Sequence, residues 1–215
     1  MRPMEALTFL TDLSEPLVAD TSVVINLIAT GCAPAIVRAL PGRLVVVDAV
    51  PAELDTGRRR GRHNSDRLNE LVNASLVEIV SLGDVATQHF SELVIGPAAT
   101  TLDDGEAATI AYAIEQAGTA FIDERKALRI CSSRYPELRV GCTVDLLTHP
   151  DVRARLGAET LAEATFNALQ GGRMRVLPNH LDKVVNLVGS ERAARCESLP
   201  RLIRVSIQNS ANHQF

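Results

Sequence analysis

The chain has no tryptophan, two tyrosines and five phenylalanines, so it is poorly supplied with aromatic faces for stacking nucleic-acid bases. Lysine is nearly missing too. Of 22 basic residues only Lys126 and Lys183 are lysine, and the other 20 are arginine. Arginine's planar fork suits bidentate phosphate contacts, but codon bias in a GC-rich genome gives the same excess, so composition alone decides nothing. The four cysteines, Cys32, Cys131, Cys142 and Cys196, include no CxxC pair. That excludes a zinc ribbon or a thioredoxin-type motif and leaves buried free thiols in a reducing compartment. No apolar run reaches the roughly 18 residues of a membrane helix. The most apolar early stretch, residues 18–37, is broken by Asp20, Asn26, Gly31 and Pro34. Residues 1–5 lack the basic start and apolar run of a signal peptide, so a cytoplasmic protein with no membrane contact is expected. Neither sign of charge dominates. The formal net charge of −4 excludes a protein coated in positive charge but not a local basic patch. No GxGxxG follows the first apolar run, which argues against a dinucleotide enzyme.

What the chain does have is alternation. Hydrophobic residues make up 46% of its 215 residues and charged residues 22%, the balance of a globular protein with its own core. Residues 17–19, 44–47, 76–80, 120–122 and 138–140 read as strands, and 23–30, 35–40, 66–72, 85–94, 103–116 and 124–133 as helices. In helix 103–116, Ala107, Ile110, Ala111 and Ile114 recur at helical spacing. Strands alternating with helices imply a mostly parallel sheet covered on both faces, an α/β fold. Beyond about Pro150 the pattern turns to helix without strand. Leu161, Thr165 and Leu169 share one helix face, and Leu181, Val184, Val185 and Val188 another. These stripes suit packing on the core, a dimer interface or a partner's dock equally. The polar end from Ser206 is expected to fray.

In a parallel sheet all strands end at one edge, and ligands bind there. Asp20 directly follows the first strand and Asp123 the fourth. Glu53 lies in the turn and helix start after the second, with Asp48 just before it. Glu106 stands near the start of a helix that runs back roughly 20 Å before the fourth strand returns, which brings it to the edge where Asp123 sits. Each acid has a bland alternative. Asp20 suits a cap on the helix from Val23, Glu53 a helix dipole after Pro51, and Asp123 a cap on the helix from Glu124, while Asp103 and Glu106 have capping-box spacing. Together, however, they crowd like charges at one edge, which is unfavourable unless a cation or protons offset them. Mg²⁺ or Mn²⁺ takes oxygen ligands and leaves waters for a substrate phosphate. One or two such ions support phosphodiester hydrolysis.

The motifs then show a resemblance. Val18-Ala19-Asp20-Thr21-Ser22-Val23-Val24-Ile25-Asn26-Leu27 resembles the opening motif of PIN-domain nucleases, and Val50-Pro51-Ala52-Glu53-Leu54 their second acidic motif. Leu102-Asp103-Asp104-Gly105-Glu106-Ala107-Ala108-Thr109-Ile110 and Phe121-Ile122-Asp123-Glu124-Arg125-Lys126-Ala127 resemble the third and fourth, in the form of a prokaryotic VapC-like subgroup. The resemblance implies a PIN-like three-layer α/β/α nuclease domain over residues 15–150, with a helical C-terminal extension over 151–215. It implies a Mg²⁺- or Mn²⁺-dependent ribonuclease, a homodimer, often the toxin partnered by a small antitoxin protein. Asp20, Glu53, Glu106 and Asp123 carry over as catalytic acids, with Asp20, Glu106 and Asp123 as the metal ligands. Ser22 carries over as an orienter of Asp20 or of water, and Asp104 stands among the additional acids behind the ligands, with Asp103 and Glu124. The chain departs from the family pattern in three places. The third acid is Glu rather than the commoner Asp. Phe121 stands where many relatives place Thr or Ser. The tail is longer than in the compact toxins.

The sharpest charge feature is Gly57-Arg58-Arg59-Arg60-Gly61-Arg62-His63, close after Glu53. Arg58, Arg59, Arg60 and Arg62 suit phosphate contacts that hold an RNA strand, and equally a solvated loop. The five histidines have no metal-ligand spacing. Two other readings stand beside the ribonuclease. One is a different Mg²⁺ phosphohydrolase, although a haloacid-dehalogenase type needs a second Asp where Ser22 stands. The other is a non-catalytic PIN-like module that binds RNA or protein.

Overall fold

Five short strands form the sheet: β1 (Leu17–Ala19), β2 (Leu44–Val47), β3 (Val77–Val80), β4 (Thr119–Phe121) and β5 (Arg139–Gly141). The structure is a computed structural model that describes residues 15–58 and 63–212. Every pairing is parallel, and the strand order is β3-β2-β1-β4-β5. The chain therefore winds outward from β1 through β2 and β3, then crosses to the other side for β4 and β5. That reversal leaves a crevice between the carboxyl ends of β1 and β4.

Strand residues alternate between two cores. Leu17, Ala19, Leu44, Val46 and Phe121 face one core, and Val18, Val45, Val47, Ala120 and Ile122 the other. A sheet covered on both faces needs apolar side chains at every strand position, which is why β1 and β2 read as unbroken apolar runs. Helices α1 (Thr21–Ala29), α2 (Ala33–Ala39), α3 (Ala49–Arg58) and α4 (Asn64–Asn73) contribute to the first core. Helices α5 (Asp84–Val94), α6 (Asp104–Glu115) and α7 (Arg125–Arg134) build the second. The expected three-layer α/β/α architecture is what the chain adopts.

The later helices are α8 (Thr143–Leu147), α9 (Pro150–Leu156), α10 (Ala158–Gln170), α11 (Leu181–Val188), α12 (Ser190–Ala194) and α13 (Arg201–Asn212). Val152, Leu161, Leu169, Met174, Val184, Ala193 and Leu199 join the same buried cluster as Leu17 and Ala19. The apolar stripes of α10 and α11 thus pack on the core. The end expected to fray from Ser206 instead continues α13 to Asn212. Helix α3 begins at Ala49, earlier than expected, with Pro51 in its first turn, where a missing N–H leaves no bond unmade. Cys131, Cys142 and Cys196 are buried free thiols and Cys32 is half-buried. No single described helix is long and apolar enough to cross a membrane; α1 and α2 pass only as a pair, bent by 115° at their junction.

Candidate functional site

The crevice at the strand reversal holds the acids. Asp20 is the last residue before α1, and its N–H donates to the Phe121 carbonyl at 3.1 Å, which ties the end of β1 to the end of β4. Its Oδ1 caps α1 by accepting from the Val23 N–H at 2.8 Å, and Ser22 Oγ donates to the same carboxylate at 2.9 and 3.1 Å. Asp20 therefore caps α1 and at the same time stands in the crevice beside Asp123 and Glu106. Only 3% of it is exposed. Burial pushes its carboxyl up to about 8, and the charges of Asp123 and Glu106 add to the rise.

Asp123 is 2% exposed and does not cap the helix after it. Its Oδ1 accepts from the Thr143 N–H at 2.8 Å, at the start of α8. Its Oδ2 accepts from Thr143 Oγ1 at 2.5 Å and from Asn26 Nδ2 at 2.7 Å. Burial raises its pKa in spite of these donors. Glu106 is half-buried, and its pKa is raised by desolvation and then by the neighbouring Asp103 carboxylate.

Two adjoining pockets display these groups. One of about 610 Å³ is lined by Asp20, Ser22, Glu53, Asp103, Asp104 and Glu106. The other, of about 280 Å³, is lined by Asp20, Ser22, Glu106, Asp123, Glu124 and two arginines. Asp20 and Glu106 border both, with Asp123 on one side and Glu53 on the other. Glu53 is engaged at both oxygens. Oε1 accepts from the Gly105 N–H at 3.0 Å in the first turn of α6, and Oε2 from Thr21 Oγ1 at 2.5 Å. It clamps α3 to the starts of α1 and α6.

Asn26, Thr143 and Thr21 hold the acids in place, and sequence reasoning did not single them out. A signal existed for Asn26: a polar residue on the buried face of an apolar helix must find a partner. Thr143 brings a hydroxyl to Asp123 from the far side of β5, while Phe121 is fully buried against Gly141. Beneath Thr143, donor atoms of Cys142, Asp145 and His180 lie within 4.8 Å of one another. Asp145 accepts there from the Cys142 N–H at 3.0 Å and Sγ at 3.2 Å, which fixes the turn that presents Thr143. Of the arginine loop, Arg59, Arg60 and Arg62 lie outside the described residues, as does the side chain of Arg58.

The donor set fits a hard divalent cation. Asp20, Glu106 and Asp123 offer carboxylate oxygens only, and among the described residues none of the three forms a salt bridge. Three carboxyls crowded at one edge need a cation or protons to offset their charge, and a hard divalent ion takes such oxygen ligands. No curated protein and no solved structure matches the chain significantly. A family model described as a PIN domain matches residues 16–190. The chain belongs to the PIN-domain family, whose members are in general nucleases.

Proposed function

We propose that the chain is a divalent-metal-dependent endoribonuclease, VapC-like, that hydrolyses RNA phosphodiesters and serves as the toxin of a toxin–antitoxin pair. The observation that carries the reading is the convergence of buried Asp20 and Asp123 with half-buried Glu106, none of them in a salt bridge among the described residues, at the switch point of a parallel sheet. When bound, Mg²⁺ or Mn²⁺ supplies Lewis-acid stabilisation of the charge that develops on the phosphate and acidifies water.

The chain's own residues divide the remaining work. Asp20 and Asp123 would hold the ion through lone pairs left over from their hydrogen bonds. Ser22, Asn26 and Thr143 fix the rotamers of those two carboxylates, so little reorganisation is needed on binding. Glu106, the least buried of the three, accepts from the Asp103 backbone and would offer its remaining lone pairs to ion or water. Glu53 keeps α6, and with it Glu106, in register with β1. Asp104 borders the larger pocket and adds negative charge on the side away from Asp123. The Arg58, Arg59, Arg60 and Arg62 loop supplies phosphate contacts to the strand.

The test is cleavage of an RNA oligonucleotide with Mn²⁺ by wild type, Asp20→Asn and Asp123→Asn. Asparagine keeps the cap at position 20 and is close in shape to a protonated aspartate, so the fold is retained. Both variants are expected to lose cleavage by at least a hundredfold, with circular dichroism unchanged. Undiminished cleavage by both would remove the acids from the chemistry. A small upstream reading frame whose product binds and inhibits the enzyme is expected for the toxin role.

A further inference from the structure

The smaller acidic pocket has a basic wall. Arg173 and Arg175 line it beside Asp123 and Glu124, and the same two arginines line a third groove of about 760 Å³ together with Arg195, Glu197 and Ser198. The acidic pocket and the basic groove thus share a boundary. In a chain of net charge −4, this groove presents three arginines against one carboxylate.

The segment that carries these arginines is built to hold them there. Residues 173–176 alternate: Met174 and Val176 are buried at 0% and 6% exposure, while Arg173 and Arg175 are exposed. The buried pair anchors the segment in the core, so the arginines stand on a fixed base. Gly172 seats the segment against the catalytic network. A Cβ there would lie 2.5 Å from Asn26 Oδ1, and the same Asn26 amide donates to Asp123. Arg173 has a φ of +54°, a left-handed conformation that costs a non-glycine residue energy. Arg195 is held over the Phe166 ring at 5.8 Å, a cation–π contact that orders the guanidinium and leaves its donors free. Among the described residues Arg175 pairs with Glu124, while Arg173 and Arg195 form no salt bridge.

We propose that Arg173, Arg175 and Arg195 form a phosphate track for the strand that runs through the acidic pocket, binding phosphates on the Asp123 side of the scissile bond. This rests on the reading of the pocket as a nuclease site. The occupant is a single-stranded phosphodiester chain gripped through its phosphates: the groove shares Arg173 and Arg175 with the acidic pocket, and none of the described residues that line it is aromatic.

The test is fluorescence anisotropy of a labelled single-stranded RNA across a salt series, alongside Mn²⁺-dependent cleavage of the same RNA. Wild type is compared with the double variant Arg173→Gly, Arg195→Gln. Glycine suits the left-handed backbone, so the fold is kept while the charge is removed. The double variant is expected to bind about tenfold or more weakly. Its salt slope should fall by about 1.4, for two phosphate contacts at roughly 0.7 each. In cleavage, KM is expected to rise more than kcat falls, and Arg195→Lys to retain most of the affinity. Unchanged affinity and slope in the double variant, with wild type cleaving, would overturn the track and leave the nuclease reading standing. Salt-sensitive binding lost in the variant, with no cleavage by wild type, would support the track and overturn the nuclease reading. No RNA binding by wild type would overturn both.

Discussion

Asp20 carries two duties that usually conflict. It caps α1 through the Val23 N–H, which favours its charge, yet it is almost wholly buried beside two other acids, which opposes it. Burial wins, and the carboxyl holds its proton up to about 8 instead of the 3.8 of a free aspartate. The sign of the consequence follows. Between those two values the folded protein binds more protons than the unfolded chain, so this group's contribution to stability falls as pH rises. Glu106 and Asp123 shift in the same direction. Thermal melts with chelator present are therefore expected to show the melting temperature dropping from about pH 5 to about pH 8. Asp20→Asn should flatten that slope; a slope of the opposite sign would contradict the burial account. Asn26→Ala removes one of the three donors that hold Asp123. It is expected to weaken Mn²⁺ binding about 10- to 100-fold by calorimetry, the range seen when a ligand's supporting hydrogen bond is lost. An unchanged affinity would mean that Thr143 alone positions the carboxylate.

At the scale of elements, two glycines set how closely helices and segments approach the acids, and they differ in kind. A Cβ on Gly105 would meet Glu53 Oε1 at 2.6 Å, a side-chain carboxylate that must give up its hydrogen bonds to move. A Cβ on Gly172 would meet the Ala168 carbonyl at 2.8 Å, which is backbone. Gly105→Ala is thus expected to break the hydrogen bonds of Glu53 to Gly105 and Thr21 and to lower stability by about 1–2 kcal/mol in a denaturant titration. It should also lower cleavage by displacing Glu53. Full cleavage by that variant would make Glu53 a clamp with no part in the chemistry. Gly172→Ala should cost about 1–3 kcal/mol in a denaturant titration, because backbone must move. β1 and β2 were legible in the sequence because both faces of the sheet are covered there, which makes their apolar runs unbroken. The acids were legible because each lies next to an element's end. Thr143 and the 172–175 segment were not. Their positions depend on β5 and α10 returning to the crevice, and no local pattern encodes that return.

Taken whole, the molecule places its acidity and its basicity side by side. The arginine excess that composition could not explain includes Arg173 and Arg175, which border the acidic crevice, and Arg195 in the adjoining groove. The helices after Pro150 bury Leu161, Leu169 and Val184 in the same core as β1, and they bring those arginines into place. Their sequence showed the apolar stripes but not the surface they cover, because a stripe specifies a buried face and not its partner. The central claim is that the crevice is a divalent-cation site, and the most direct measurement is the melting temperature with and without millimolar Mn²⁺ at neutral pH. A ligand that binds only the folded state raises it. Wild type is expected to shift upward by several degrees and Asp20→Asn to lose the shift. An equal shift in both, or none in wild type, would contradict the site.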